Sequence, residues 1–242
     1  DMDFETVPEV KERLKEVADR GIYGYSMLGD GYYDALKNWF STRFNWQIEN
    51  DWVITTPGVV FALAAAVRAY TKEGDSVMIQ RPVYHPFTNV VKENGRKLVN
   101  NPLVLENGKY HMDYEDMEQK ITEEQVKLFL LCSPHNPVSR VWTKEELEKM
   151  GDICLKHNVV IMDDEIHCDF TYPGFKFTSF MTLDEKYHNS LVLYTSPSKT
   201  FNVAGLQPAN IIIKNPELRA AYRKANAAAG YSQGSIMGQV AV

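Results

Sequence analysis

The sequence predicts an α/β domain whose central sheet is mixed but mainly parallel. Short apolar runs with strand character alternate with amphipathic helical patterns along the chain, as in folds with a parallel sheet. Three of these runs, residues 126–132, 159–162 and 191–194, are largely apolar throughout, which is typical of strands buried on both faces. With 242 residues, of which 44% are hydrophobic, the chain can bury the core of one large domain.

Residues 1–20 are predicted to form an N-terminal helical segment, and residues 21–242 to form the large domain. Thr6 is a candidate N-cap, Pro8 suits the first turn of a helix, and the helical pattern ends near Gly21. A second amphipathic helix is predicted to begin at Asp30.

The rest of the chain alternates between strands and helices. Residues 52–56 are predicted to form a strand that turns through Gly58 into an alanine-rich helix at 61–70. The pattern then predicts, in order, strands at 76–80, 97–105 and 109–112, a short acidic helix, the strand at 126–132, a helix from Thr143 to about His157, strands at 159–162, 191–194 and 210–214, and helices from Pro216 onward.

Polar side chains of different chemistry follow the three buried strands. Asn136 comes after the first strand, Asp164 and His167 after the second, and Lys199 after the third. Ligands of open α/β sheets bind beyond the carboxyl ends of the strands, so we expect these side chains to converge. Gly58 ends a fourth strand and leaves free N–H groups at a helix N-terminus, which suit a phosphate.

Each of these features has a simpler explanation when it is taken alone. Lys199 would be a surface lysine in a loop, and Gly58 would be an ordinary turn between a strand and a helix. Together, however, an amine, a carboxylate, an amide and a phosphate cradle are the parts of a pyridoxal 5'-phosphate (PLP) site. The amine can form an imine with the cofactor, and the carboxylate can keep the pyridine nitrogen protonated.

Other ligand classes fit the sequence less well. The segment 159–165 resembles a Walker B strand, but the sequence contains no GxxxxGK[ST] motif, which disfavours an NTPase. Gly29-Asp-Gly31 lacks the third glycine of a dinucleotide fingerprint. A metal cluster would draw on His135, Asp163, Asp164, His167 and Cys168. Because neighbouring strand residues point to opposite faces, a cofactor explains these residues better than a metal does.

Composition and charge exclude several kinds of partner. The net charge of −6 argues against a nucleic-acid partner, and the apolar stretches are too short to predict a membrane partner. The three cysteines form no CxxC pair, so a cytoplasmic location is expected. The chain opens without an initiator methionine, and an apolar helical pattern runs to Val242, so we expect a fragment of a longer protein.

Several segments resemble the signature segments of the fold type I PLP enzymes of aminotransferase class I/II, and they occur in that family's order. The segments are Asn136-Pro137, Asp164-Glu-Ile-His167 and residues 196–202. Within the family, residues 1–4, 56–60, 82–87, 134–138 and 164–167 are most similar to the cystathionine β-lyase branch of the MalY/PatB type. The resemblance covers nearly the whole chain and implies a three-layer, PLP-dependent transferase-like large domain.

The resemblance also implies roles for individual residues. Lys199 would bind the cofactor covalently and act as the catalytic base, and Asp164 would pair with the pyridinium nitrogen. Asn136 and His167 would lie near the ring's 3'-oxygen. The remaining cofactor contacts would come from Tyr84 and Ile166 on the two ring faces, and from Ser196, Gly58, Val59, Val60 and a neighbouring subunit's Tyr25 around the phosphate. That use of Tyr25 implies a homodimer.

Two departures from the family pattern limit what can be transferred. Residues 205–208 lack the phosphate-binding arginine of many aminotransferases, so neutral donors are expected to hold the phosphate. The arginine that binds the substrate carboxylate belongs to a C-terminal small domain, which we expect to be absent from these residues. The resemblance implies β-elimination on a sulfur amino acid such as L-cystathionine, giving thiol, pyruvate and ammonia. An aminotransferase is the first alternative, and a non-catalytic binding or regulatory protein with a PLP fold is the second.

Overall fold

The structure, a computed structural model, describes residues 2–242 as alternating strands and helices. The strands are β1 (Val53–Pro57), β2 (Ser76–Ile79), β3 (Lys97–Asn100), β4 (Val104–Glu106), β5 (Lys109–His111), β6 (Leu128–Cys132), β7 (Val160–Asp164), β8 (Leu191–Thr195) and β9 (Pro208–Ile212). The α-helices are α1 (Pro8–Arg20), α2 (Asp30–Phe44), α3 (Val59–Tyr70), α4 (Pro86–Lys92), α5 (Tyr114–Glu123), α6 (Lys144–Lys156), α7 (Pro197–Thr200), α8 (Pro216–Ala228) and α9 (Ile236–Val240).

The main sheet has seven strands in the order β1-β9-β8-β7-β6-β2-β3. The strands from β8 to β3 pair in parallel, whereas β9 pairs antiparallel with both β8 and β1. β4 and β5 form a separate antiparallel hairpin. The prediction of a mixed, mainly parallel sheet is therefore confirmed.

Helices cover both faces of this sheet and give the three layers that the sequence predicts. One buried cluster joins β6, β7 and β8 to α2, α5 and α6, and includes Phe40, Met117 and Met150. A second cluster, on the opposite face, joins the same strands to α3, α4 and α8. Successive residues of β6 alternate between the two clusters, as expected for a strand buried on both sides.

The N-terminal helix α1 packs beside the last helix, α9. Val10 of α1 lies in a small buried cluster with Val203 and Ala241. Residue Val7 occupies the N-cap position, and no side chain caps the helix, so the prediction of Thr6 as the cap is wrong. The division of the chain into residues 1–20 and 21–242 stays a prediction.

Local sequence signals predict the start of α6 correctly and the start of α3 two residues too late. Thr143 and Glu146 form a complete capping box at the start of α6, as the sequence predicts. α3 begins at Val59, two residues before the predicted start, because the turn at Gly58 leads directly into helical geometry. No helix within residues 2–242 is both long and apolar enough to span a membrane.

A glycine allows the close approach of α6 to two aromatic rings. A Cβ atom at Gly151 would lie 2.7 Å from Cε1 of Tyr187 and 2.8 Å from Cζ of Phe180. Those two rings already pack edge to face, with centroids 5.3 Å apart. Neither ring can move without disturbing the buried cluster around it.

We therefore expect Gly151→Ala to lower the free energy of unfolding by about 1–3 kcal/mol, because overpacking outweighs the helix propensity that alanine adds. Gly31→Ala in α2 is the matched control, since a Cβ there meets no atom within 4 Å. Urea unfolding of both variants measures the difference. Equal stability of the two variants would contradict the tight packing at Gly151.

Candidate active site

Six strands, β1, β2, β3, β6, β7 and β8, end at one edge of the sheet. In the parallel register, Asp164 of β7 is paired with Cys132 of β6 and with Tyr194 of β8. β1 points in the same direction as β8, because both are antiparallel to β9. The segments that follow β1, β6, β7 and β8 therefore emerge side by side.

These segments enclose a cavity of about 480 Å³, which we call the inner cavity. Ten of the eleven predicted site residues line it: Gly58, Val59, Val60, Tyr84, Asn136, Asp164, Ile166, His167, Ser196 and Lys199. Tyr25 does not line it and is 99% exposed. Within the described chain, Lys199 and Asp164 are the cavity's cationic and acidic side chains.

Asp164 is a buried carboxyl group at the end of β7. One of its oxygens, Oδ1, accepts a hydrogen bond of 3.2 Å from the backbone N–H of Ile166. Burial raises the pKa of Asp164 to about 7, and the Ile166 N–H group and the charge of Lys199 partly oppose this shift. A nearby cation would therefore favour the ionised form of Asp164 strongly.

Ser196 positions the short helix that carries Lys199. Its Oγ accepts a hydrogen bond from the N–H of Ser198 and donates one to the carbonyl oxygen of Pro208. The first bond caps α7, and the second joins the end of β8 to the start of β9. Lys199 lies on α7, and its charge acts on both Asp164 and His167.

The turn at Gly58 is shaped for an anion. Its backbone has a φ of +87°, a conformation that favours glycine, and a Cβ there would meet no atom within 4 Å. The space beside the turn is therefore open rather than packed. The N–H groups of Val59 and Val60 lie in the first turn of the 12-residue helix α3, where the helix leaves its amides without helical partners.

The other walls are aromatic, aliphatic and amide in character. Tyr84 is 37% exposed and lies just before α4, while Ile166 is half-buried against the cluster that contains α3. Burial and the charge of Lys199 lower the pKa of His167, so this ring is neutral at pH 7. The N–H of Asn136 donates to Sγ of Cys132 at 3.4 Å, which ties the turn after β6 to the strand.

Six further lining residues were not predicted as site residues from the sequence: Pro57, Cys132, Ser198, Ala204, Gln207 and Pro208. Gln207 lies in the segment where many aminotransferases carry a phosphate-binding arginine. It has a φ of +55° and directly precedes β9, and the reversal of β9 brings it to the cavity. A cysteine at the end of a buried strand gives no sequence signal that separates a cavity wall from a core position.

The residues present fit the predicted cofactor. The inner cavity combines an amine, a buried carboxyl group, an aromatic wall at Tyr84 and an open glycine turn for a phosphate. Within residues 2–242, no group of three or more His, Cys, Asp or Glu side chains is placed to hold a metal ion.

Two acids beside Asp164 face away from the inner cavity. Asp163 and Glu165 are fully buried, and Oε1 of Glu165 accepts a 2.9 Å hydrogen bond from the N–H of Phe180. Among the described residues no cation pairs with either acid, and both oxygens of Asp163 and Oε2 of Glu165 are buried without a hydrogen-bond partner. The two carboxyl groups also interact with each other. Burial raises both pKa values, that of Glu165 to about 7.

A raised pKa in the folded state gives stability that is present at low pH and lost as the pH rises through about 7. We expect Glu165→Gln to reduce the loss of unfolding free energy between pH 5.5 and pH 8 by roughly 1–3 kcal/mol. Urea unfolding at the two pH values measures this loss. The exposed Glu115→Gln is the control, and an unchanged pH dependence in Glu165→Gln would show that the pair is not protonated.

Comparisons with known proteins agree on the family. The family model for aminotransferase class I and II matches residues 1–242. The cystathionine beta-lyase PatB of Bacillus subtilis is 43% identical over 222 residues, which is 92% of this chain and 57% of PatB. The structure of cystalysin from Treponema denticola, which contains PLP, has a TM-score of 0.96 and 41% identity, covering 100% of this chain and 61% of cystalysin.

A PLP-bound C-S lyase from Staphylococcus hominis has a TM-score of 0.92 and 31% identity, covering 100% of this chain and 61% of its own. The chain thus spans about three fifths of the length of these relatives. The family match over the whole chain and the shared fold establish membership, and this chain belongs to the aminotransferase class I and II family.

Proposed function

We propose that the complete protein is a PLP-dependent lyase that cleaves the carbon–sulfur bond of a sulfur amino acid such as L-cystathionine. The observation that carries the proposal is that Lys199 and Asp164 line one cavity beyond neighbouring parallel strands. The cystathionine beta-lyase PatB and the C-S lyase of Staphylococcus hominis, which are 43% and 31% identical to this chain, support lyase chemistry.

PLP, when bound, supplies an electron sink that makes a proton beside the amino group of a substrate easier to remove. Lys199 would hold the cofactor covalently, and Asp164 would face its ring nitrogen. Asn136 and His167 would face the 3'-oxygen, and Tyr84 and Ile166 would enclose the ring. Its phosphate would be held by Ser196 and by the backbone amides of Gly58, Val59 and Val60.

Asp164 would hold a proton on the ring nitrogen as a carboxylate, so its ionised form is the one that this role requires. Burial, which raises its pKa to about 7, works against this ionised form, and the charge of Lys199 favours it. A protonated ring nitrogen beside the carboxylate favours ionisation further. Because burial leaves the ionised carboxylate poorly solvated, Asp164 would pair strongly with a cationic ring nitrogen.

Lys199 is the group that moves protons in the proposed reaction. Its amine removes the α-proton of the substrate, and the carbon–sulfur bond then breaks with its electron pair leaving on sulfur. The thiolate takes up a proton and departs as a thiol. Water converts the remaining three-carbon fragment to pyruvate and ammonia.

Neutral groups are proposed to hold the phosphate. Apart from Lys199, no cationic side chain of the described chain lines the inner cavity, and Gln207 stands in its wall. The first amides of α3 then provide the donors, with the positive end of the helix dipole behind them. The Ser196 hydroxyl would join them by exchanging its hydrogen bond to the Pro208 carbonyl for one to the phosphate.

A homodimer is the proposed assembly. Residues 22–27 expose four large side chains, Ile22, Tyr23, Tyr25 and Met27, with Tyr25 99% exposed. An exposed apolar stretch of this kind suits burial against a second copy, where Tyr25 would reach the neighbouring site. We also propose a cytoplasmic location, consistent with the free cysteines Cys132, Cys154 and Cys168.

An aminotransferase is the second candidate, because the matching family model describes aminotransferases. Both reactions begin with removal of the α-proton by Lys199 and differ in whether a group leaves from Cβ. A non-catalytic binding protein is the third candidate, but binding alone requires neither an ionisable Asp164 nor an electron sink.

We expect Lys199→Ala to abolish the covalent attachment of PLP that borohydride reduction makes permanent. No other lysine lines the inner cavity within the described chain, so the PLP mass should disappear from the intact protein. Lys176→Ala, on an exposed loop, is the control and should retain the label. Labelling of a different residue in reduced wild-type protein would overturn the site assignment.

The elimination itself can be separated from transamination. We expect the complete protein with L-cystathionine and no keto acid to release thiol, pyruvate and ammonia in equal amounts over many turnovers. An aminotransferase without a keto acceptor stops after about one turnover per site, since its cofactor keeps the amino group. Stalling that 2-oxoglutarate relieves would favour the aminotransferase, and no turnover with PLP bound would favour the binding protein.

A further inference from the structure

A second cavity adjoins the inner cavity. It has a volume of about 620 Å³, and we call it the outer cavity. Its walls are the β4–β5 hairpin, the loop after β6 and the loop after β7. Asn136 and His167 line both cavities, so they form the common wall between the two spaces. A molecule that reacts in the inner cavity can therefore extend past these two side chains.

The charged side chains of the described residues that line the outer cavity are cationic. Among the residues that the structure describes, its lining contains Lys109 and Arg140 but no aspartate or glutamate. The histidines do not alter this balance, because burial lowers the pKa of His135 to about 4 and also lowers that of His167. The space is therefore suited to an anionic group and offers no acidic partner to an ammonium group.

Arg140 is already engaged within the fold. Its Nε donates to the carbonyl oxygen of Tyr110 at 2.8 Å, and its guanidinium pairs with Glu146. The guanidinium carbon also lies 4.7 Å from the ring centroid of Trp142. Arg140 thus joins the hairpin to α6 and leaves Lys109 as the available cation.

Lys109 is exposed at the start of β5, and no acidic side chain in the described chain lies within ion-pair distance of it. The opposite rim, after β7, is aromatic. Phe170, Tyr172 and Phe175 are 47%, 73% and 62% exposed, respectively, and all three line the outer cavity. Aromatic side chains left this exposed at the mouth of a cavity are suited to contact with an apolar group.

We propose that the outer cavity binds the group attached to the substrate sulfur, and that it selects a short apolar chain ending in a carboxylate paired with Lys109. The inference rests on the proposed carbon–sulfur lyase function. It names the substrate class as cysteine thioethers with a terminal acid, in which a second amino group gains no contact. In the elimination step the carbon–sulfur electron pair leaves on sulfur, and the acid-bearing thiol departs through the outer cavity.

Two substrates of nearly the same shape test the charge preference. S-(2-carboxyethyl)-L-cysteine carries the terminal carboxylate, and S-(2-carbamoylethyl)-L-cysteine replaces it with a neutral amide. The ratio of their kcat/KM values is measured for the complete, PLP-loaded protein and for Lys109→Gln and Lys109→Glu. Lys92→Gln is the matched control, because Lys92 is also exposed and lines neither cavity.

We expect the wild type and Lys92→Gln to prefer the carboxylate. Lys109→Gln should lower the ratio by about two- to fivefold, as for an exposed ion pair, and Lys109→Glu should lower it further. The two thiol leaving groups differ in intrinsic reactivity. This difference cancels when the kcat/KM ratio of one variant is compared with the ratio of another. The same ratio in wild type and in both Lys109 variants would overturn the proposal.

A binding measurement separates this inference from the proposed function. Ligand-observed NMR compares the binding of 3-mercaptopropionate and its amide to the same proteins, without any turnover. The protein could eliminate neither substrate and still bind the acid more tightly than the amide. If that binding preference is lost in the Lys109 variants, the anion site is supported and the lyase function is rejected. Elimination of both substrates without any charge preference in rate or binding would reject the anion site alone.

Discussion

The parallel register of β6, β7 and β8 is the constraint on which the rest of the structure depends. It aligns Cys132, Asp164 and Tyr194 in one row, so that the three segments after these strands leave the sheet at the same level. Both faces of the strands are buried under helices, and a shift by one residue would exchange the faces. The position of the candidate active site is therefore specified by the hydrophobic core.

The same alternation gives three consecutive acids different environments. Asp164 faces the inner cavity, while Asp163 and Glu165 lie on the opposite side and are fully buried. Burial raises the pKa of each of these acids, but only Asp164 has a lysine charge acting on it. Asp164 thus lies where a cationic ligand can pair with it, whereas Glu165 holds the loop after β7 by accepting a hydrogen bond from the N–H of Phe180.

The sequence predicts the sheet and most of the cavity wall because both depend on local patterns. Apolar runs show where the strands end, and Asn136, Asp164 and Lys199 stand directly after them. Gln207 could not be placed in this way, because its position depends on the reversed direction of β9, which is set by pairing with two distant strands. The outer cavity was also not predicted, since the β4–β5 hairpin reaches it only through tertiary contacts such as those of Arg140.

The reversal of β9 also governs the freedom of Lys199. The chain leaves β8 at Thr195 and returns into the adjacent β9 at Pro208, and the hydrogen bond from Ser196 to the Pro208 carbonyl joins the two ends. The connection, residues 196–207, contains α7 and is closed at its base by the pairing of Thr195 with Asn210, so its backbone has little conformational entropy to lose when a ligand binds. In the proposed reaction, proton transfer by Lys199 would therefore rely on fast rotation about its four-carbon side chain rather than on slow rearrangement of the backbone that carries it.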